Sequence, residues 1–192
     1  MDYSSYRRNG EIMAIKPVIR MGHPTLRKEA AELSETEVKS PWFKNLIEDM
    51  RDTMAHEGGI GIAAPQINES YQVCIVHIPS DSERYPDSAE SEEYIIVNPV
   101  ITILDEDKTG NWEGCLSVPG LRGYVERPRK IQVECLNENY EEVSLIAEDF
   151  LAVVFQHELD HLFGKLYIDR VTDTKMISYN EEFSQFHLPQ DS

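Results

Sequence analysis

The sequence lacks several features that mark membrane, secreted and nucleic-acid-binding proteins. No apolar run reaches the roughly 18 residues of a spanning helix. Residues 1–16 hold no apolar segment of the kind found in a secretory signal, so we do not expect secretion. Cysteine is scarce, and Cys74, Cys115 and Cys135 are an odd number without disulfide spacing, which suits a reducing compartment.

Positive charge is also scarce. The 18 Lys and Arg residues stand against 35 Asp and Glu residues, which gives a formal net charge of −17. This balance argues against broad binding to nucleic acid, and it is typical of a solubilising acidic surface. The 192 residues are enough for one good-sized core, and no internal repeat is visible. We therefore predict one domain over residues 17–171, with an N-terminal extension at residues 1–16 and a polar C-terminal tail at residues 172–192.

The most informative stretch is residues 156–161, which read Q-H-E-L-D-H inside an apolar run. Apolar residues on nearly every side predict a buried helix. His157 and His161 are four residues apart and share one helix face, so both imidazoles can reach one metal ion. Glu158 is one step around the helix, where a carboxylate can take a proton from a metal-bound water.

A plainer interpretation of residues 156–161 is two core histidines and a capped glutamate without a metal. Several ionisable groups would then be buried unpaired within five consecutive residues, at a cost of several kcal/mol. We therefore favour a metal site, which needs a third protein ligand and an open position for water. Downstream, Asp169, Asp173 and His187 have no recognisable spacing. Upstream, Cys115 is flanked by glycine and lies between predicted strands. Its thiolate beside two imidazoles would make a tetrahedral site with one vacancy.

Other segments predict the scaffold around this helix. Ser40 and Pro41 predict the start of a helix whose core face carries Phe43 and Met50. Residues 73–78 predict a buried strand. Residues 94–97 and 100–104 predict two strands broken by a turn or bulge at Asn98-Pro99. Residues 79–93 and 105–111 predict polar loops, and residues 131–136 and 143–146 predict a hairpin. Residues 59–66 carry two glycines and two alanines, so a backbone or ligand could approach them closely.

Three motifs in order resemble those of the peptide deformylases. They are G-x-G-x-A-A-x-Q at residues 59–66, E-G-C-L-S at residues 113–117 and Q-H-E-x-D-H at residues 156–161. The resemblance covers residues 19–170, and the order of all three motifs is highly specific. It implies an α+β fold in which antiparallel β-strands surround a buried metal-bearing α-helix. It also implies removal of the formyl group from the N-terminal methionine of new polypeptides. One departure is Asp149, where the family often has glycine.

The resemblance also assigns roles to individual residues. It implies that Cys115, His157 and His161 hold one Fe²⁺ ion per chain, with Zn²⁺, Ni²⁺ or Co²⁺ as substitutes. Glu158 is then the general base and later the proton donor. Gln66 and the backbone N–H of Leu116 then stabilise the oxyanion, and Gly61 lets its loop approach the site. The metal would lower the pKa of water, and two fixed donors would stabilise the tetrahedral intermediate.

We further predict an apolar pocket for the methionine side chain. Val153 is four residues before His157 and shares its face, and Ile60 lies in the glycine-rich loop. We also place Glu113 and Arg122 in the substrate-binding set. Because buried carboxylates need partners, we expect Arg122 to neutralise Glu113 and Arg127 to neutralise Asp160.

Three alternatives remain open at this stage. A zincin-type peptidase would use a downstream ligand and cleave internal peptide bonds, and its metal content would survive loss of Cys115. A non-enzymatic metal-stabilised protein would have a closed site, commonly with four protein ligands. A deformylase-like enzyme acting on other formylated amines would share all three motifs.

The implied partners are formyl-methionyl nascent peptides in a bacterial cytoplasm, with no membrane and no nucleic acid. Residues 172–192 carry Lys175 but also Glu181, Glu182 and Asp191, so no basic C-terminal helix is expected. A transient contact with the ribosome is therefore left open.

Overall fold

The fold is built on a six-stranded antiparallel sheet with a buried helix against it. The computed structural model describes residues 15–80 and 90–188 and the backbone of residues 7–8 and 11–12. The elements in chain order are β1 (Arg7–Arg8), β2 (Glu11–Ile12), α1 (Glu35–Val38), α2 (Pro41–His56), β3 (Gly61–Ala63), β4 (Val73–Val76), β5 (Tyr94–Cys115), β6 (Val118–Leu136), β7 (Glu142–Glu148), α3 (Asp149–Leu162), β8 (Ile177–Tyr179) and α4 (Asn180–Phe186).

The sheet has the order β3-β4-β5-β6-β7, and β8 pairs with β6 on a separate stretch. Strands β5 and β6 form a long hairpin whose turn follows Cys115, which places this cysteine at the tip. Strands β6 and β7 form the predicted hairpin across residues 137–141. The predicted arrangement of antiparallel strands around a buried helix is confirmed.

Strand β5 differs from its prediction, because it runs unbroken through residues 98–99 and 105–111. Asn98 has a left-handed φ of 48°, and the pairing register with β6 shifts between Val97 and Val100. The proline is therefore accommodated by a bulge, as proline within a sheet requires. Residues 105–111 were wrongly predicted as a loop, since their hydrogen bonds go to β6 while most of their side chains face solvent.

Helix α3 is buried, as its apolar sequence predicts. Its residues Val154, Phe155 and Leu159 pack in one core cluster with strand residues such as Ile131 and Val133. The chain enters the helix through Asp149, which has a left-handed φ of 50°, and leaves it near Gly164, which has a φ of 69°. Glycine adopts this conformation without strain, whereas aspartate does so at some cost.

Helix α2 begins as the sequence predicts, with Ser40 as N-cap and Pro41 in the first turn. The Ser40 hydroxyl accepts a hydrogen bond from the N–H of Phe43 at 3.3 Å. Phe43 and Met50 are buried in a second core cluster that also contains Ile62 and Ile75 of the sheet. This cluster packs α2 against β3 and β4.

The predicted tail contains regular structure up to Phe186. Strand β8 pairs with β6 in the register Leu121↔Tyr179 and Gly123↔Ile177, and α4 follows directly. Phe183 of α4 is buried. Most of the predicted N-terminal extension lies outside the described residues. Within the described chain, no helix is long and apolar enough to cross a membrane.

Candidate metal and catalytic site

The ligand atoms of Cys115, His157 and His161 all lie within 4.8 Å of one another. The cysteine comes from the end of β5, and the histidines are on successive turns of α3. Cys115 Sγ lies 3.3 Å from His161 Nε2. The structure therefore brings together the three residues that the sequence predicts as ligands, from two segments more than 40 residues apart in the chain.

The charge state of Cys115 suits metal binding. Burial would raise the pKa of Cys115, but the charges and hydrogen bonds of His161 and His157 outweigh it and hold that pKa well below its ordinary value. A thiolate and two imidazoles are the donor set that Zn²⁺ and other first-row transition metals accept. The residues present therefore fit one metal ion.

His157 is oriented by a carboxylate on the neighbouring strand. Its Nδ1 lies 2.7 Å from Oε2 of Glu113, which fixes the ring nitrogen available to a metal as Nε2. Burial would raise the pKa of Glu113, but hydrogen bonds from His157 and Arg127 outweigh burial and lower it. Glu113 therefore stays ionised beside the ligand.

Arg127 bridges two buried carboxylates. Its Nε and Nη2 donate to Glu113 at 2.6 and 3.0 Å, and its Nη1 donates to Asp160 at 2.9 Å. Arg170 closes the chain by donating Nη2 to Asp160 at 2.6 Å. The predicted pair of Arg127 with Asp160 is confirmed. The bonds of Arg127 to Glu113 and the pairing of Arg170 with Asp160 were not predicted from the sequence.

The predicted pair of Arg122 with Glu113 is wrong. Glu113 lies opposite Gly123 in the hairpin, whereas Arg122 lies opposite Gly114. Since side chains alternate along a strand, Arg122 is on the other face of the sheet from Glu113. There its Cζ atom lies 4.8 Å from the ring centre of Phe183, and Arg122 is not among the residues that line the cavity described below.

Glu158 is buried against the glycine-rich loop. A Cβ on Gly61 would lie 2.7 Å from both Cγ and Cδ of Glu158, so only glycine permits this approach. Oε2 of Glu158 is buried without a hydrogen-bond partner among the described residues. Burial raises the pKa of Glu158 to about 7. A carboxyl group with that pKa can both accept and donate a proton near neutral pH.

Gln66 presents its amide to the cysteine. Its Oε1 accepts a hydrogen bond from the N–H of Ala63 at 2.8 Å, which fixes the amide and directs Nε2 towards Cys115. Nε2 lies 3.4 Å from Cys115 Sγ and 3.3 Å from Ser117 Oγ. Ser117 is completely buried and was not predicted as a site residue. Its place in the E-G-C-L-S motif was the available signal.

A cavity opens beside these groups. Ile60, Gln66 and Val153 of the predicted site all line it. The complete lining is Gly59, Ile60, Gly61, Gln66, Asn111, Trp112, Glu113, Gly114, Cys115, Leu116, Phe150, Val153, Val154, His157 and Glu158. Glu113 reaches the cavity, but its carboxylate is occupied by His157 and Arg127. The geometry thus places an apolar pocket next to an acid–base group and a metal-ligand set.

The downstream ligands that a zincin would need are engaged elsewhere. Asp169 accepts from the backbone N–H of Leu166 at 2.8 Å and pairs with Arg27. The ring of His187 lies 4.6 Å from that of Trp112. Fold and site together define an α+β hydrolase whose H-E-x-x-H helix shares its metal site with a hairpin cysteine.

Comparison with known proteins identifies the family. The family described as polypeptide deformylase matches residues 15–176. A peptide deformylase from Leptospira biflexa is 49% identical over 170 residues, which is 88% of this chain and 95% of that protein. The chain belongs to the polypeptide deformylase family and is an enzyme of that kind. The predicted family and activity are confirmed.

Solved structures agree with the fold. A class I type b peptide deformylase from Acinetobacter baumannii, crystallised with Met-Ala-Ser bound, is similar with a TM-score of 0.78 and 39% identity, covering 82% of this chain and 98% of that one. A peptide deformylase from Thermotoga maritima gives a TM-score of 0.72 at 33% identity, covering 83% of this chain and 99% of that one.

Proposed function

We propose that this enzyme removes the formyl group from the N-terminal formyl-methionine of newly synthesised polypeptides by the residue roles that follow. The observation that carries the proposal is the convergence of Cys115, His157, His161 and Glu158 on one cavity. The resident metal is proposed to be one Fe²⁺ per chain, and the family resemblance alone favours iron over Zn²⁺, Ni²⁺ or Co²⁺. When bound, the metal supplies Lewis acidity, which activates water and polarises the formyl oxygen.

Glu158 is proposed to move the proton. It takes a proton from the attacking water and donates one to the departing amine, so that formate and a free N-terminus are released. Glu158 is buried, and its Oε2 has no hydrogen-bond partner within the described chain. Both observations support this role, because that oxygen is available to accept a proton. Gly61 lets the loop lie against Glu158 and so excludes water from its other side.

Gln66 and the backbone N–H of Leu116 are proposed to stabilise the oxyanion. The N–H of Ala63 already holds the amide oxygen of Gln66, so the amide plane is oriented before charge develops on the formyl oxygen. Each such donor is typically worth about 10²–10³ in rate. The location of Leu116, directly after Cys115 at the hairpin tip, supports its assignment.

The side chain of the first residue is proposed to occupy the cavity beside Ile60 and Val153. Branched aliphatic walls suit the long, flexible thioether of methionine. The Acinetobacter baumannii relative was crystallised with Met-Ala-Ser, a peptide that begins with methionine, which supports a peptide product in the same place. Glu113 acts here on His157 instead of on the substrate, and Arg122 is left without a proposed role in binding.

The setting is proposed to be the bacterial cytoplasm, where formyl-methionine chemistry occurs. A transient contact with the ribosome is not supported by α4, whose first turn carries Glu181 and Glu182 instead of basic residues. The proposed domain is residues 17–171, and β8 and α4 of the following segment pack onto it.

The test of this function compares two substrates and one variant. Anaerobically purified protein is analysed for metal and assayed on formyl-Met-Ala-Ser and on an internally cleavable peptide. We expect deformylation only, and Cys115→Ala should lose the metal. Cleavage of internal bonds, or a metal that survives in Cys115→Ala, would instead support the zincin alternative.

A further inference from the structure

One wall of the cavity is formed by the last residues of β5. The side chains of this strand point alternately to the two faces of the sheet. Glu113 and Cys115 face α3, where the ion pairs of Arg127 hold Glu113 in place. Side chains alternate along a strand, so the side chain of Trp112 is on the sheet face opposite that of its neighbour Glu113. Residue Trp112 nevertheless belongs to the strand segment that borders the cavity. What packs on Trp112 from the far side therefore bears on the position of this wall.

The segment that packs there is C-terminal. Strand β8 pairs with β6 at Arg122, and α4 then brings Phe183 to Trp112 with 5.2 Å between ring centroids. The ring of Tyr124 lies 5.8 Å from that of Trp112, and Cζ of Arg122 lies 4.8 Å from the ring centre of Phe183. Phe183 is 8% exposed, whereas Phe186 on the same helix is 67% exposed.

Two independent sets of contacts therefore hold the strand. The ion pairs on the α3 side fix the metal-ligand residues, and the aromatic contacts on the other side fix Trp112. Loss of an aromatic contact should shift the peptide-binding wall and leave the ligand set in place. An aromatic pair such as this contributes stabilisation beyond its buried area.

We propose that Phe183 of α4 is a positioning residue for substrate binding, which acts by holding Trp112 in the wall of the peptide-binding cavity. This rests on the proposed function, because the cavity is taken to hold the formylated peptide. The C-terminal segment is thereby part of the binding apparatus and not an appendage of the domain.

The first experiment is steady-state kinetics on formyl-Met-Ala-Ser with metal-loaded protein. Phe183→Ala should raise KM by about 2- to 10-fold, the factor to which one aromatic pair corresponds, with kcat and metal content unchanged. Phe183→Leu keeps apolar bulk and should restore most of the affinity. Phe186→Ala, a matched change on the exposed side of α4, should leave KM as it is. Equal KM values in all variants, or a parallel loss of metal and kcat in Phe183→Ala, would overturn the proposal.

A second experiment tests whether Phe183 acts through Trp112. The KM effect of Phe183→Ala should largely vanish in a Trp112→Leu background, since contacting residues are not additive. In a Trp42→Phe protein, Trp112 is the sole tryptophan, and its emission should change when Met-Ala-Ser is added. That titration needs no turnover, and adding Phe183→Ala to the Trp42→Phe protein should weaken binding of Met-Ala-Ser by a similar factor. The comparison therefore tests the proposal even if wild-type protein failed to deformylate, which would refute the proposed function alone. Additive KM effects, or an emission unmoved by peptide, would overturn the proposal.

Discussion

The carboxylate of Glu113 accepts a hydrogen bond from Nδ1 of His157 at 2.7 Å, and Arg127 holds the same carboxylate from behind. Metal-ligating histidines commonly have such a partner, which selects the tautomer and the ring orientation. The ligand set on α3 is thus tied to the β5–β6 hairpin that carries the cysteine. The position of the metal site therefore depends on an intact β5–β6 hairpin.

Replacing Glu113 should weaken metal binding. Glu113→Gln keeps the shape but offers His157 a neutral acceptor, so we expect metal affinity to fall by about 10- to 100-fold. Competition with a chelator measures this directly. Glu134→Gln, on the exposed side of β6, is the control and should behave as wild type. Equal chelator sensitivity of the two variants would contradict the orienting role.

Glu158→Gln should retain the metal and lose most turnover. The amide cannot shuttle a proton, so we expect kcat/KM to fall by about 10²–10⁴-fold. Metal analysis of the same preparation separates this loss from a loss of the ion. Near-normal turnover in a metal-loaded variant would rule out the acid–base role.

Arg127 is expected to be the critical charge of the buried network. In Arg127→Met the carboxylates of Glu113 and Asp160 lose a shared partner, and we expect a loss of about 3–5 kcal/mol in the free energy of unfolding. Arg129→Met, which breaks an exposed pair with Asp149, should change stability little. Urea denaturation of both variants checks the contrast. A loss in Arg127→Met no larger than in Arg129→Met would show that the network is not stabilising.

The metal ligands could be predicted from the sequence, but the residues that hold them in place could not. The ligands could be found because His157 and His161 share a helix face by spacing alone, and because Cys115 lies in a short motif. The partner of Glu113 could not be predicted, since it depends on the register of β5 against β6. A change of one residue in that register exchanges the faces of Arg122 and its neighbours.

The C-terminal structure was missed for a related reason. Strand β8 is three residues long and α4 is seven, so neither shows a hydrophobic period that could be read. Their stability comes from pairing with β6 and from the contact of Phe183 with Trp112, which are both distant in the chain. Local sequence carries little trace of such contacts.

The aspartate at the entry of α3 should be a strained position. Asp149 has a φ of 50°, where glycine is relaxed and other residues are not. Asp149→Gly and Asp149→Ala both remove the exposed pair with Arg129, so their difference isolates the backbone. We expect the glycine variant to be more stable than the alanine variant by about 1 kcal/mol in thermal or urea unfolding. Equal stability would mean that the left-handed conformation is not strained.

The cavity beside Val153 is expected to select the methionine side chain of the substrate. Val153 is buried on the cavity side of α3, one turn before His157, and Ile60 lines the same cavity. Val153→Phe should fill this space, so we expect KM for formyl-Met peptides to rise while metal content stays constant. Shortening the first side chain of the substrate should lose about 0.8 kcal/mol in kcat/KM for each buried CH₂. A series of formyl peptides beginning with methionine, norvaline and alanine measures this slope in the wild type, and Val153→Phe should flatten it. If formyl-Ala and formyl-Met peptides reacted with equal kcat/KM in the wild type, the cavity would not select the side chain, and its assignment to methionine would be wrong.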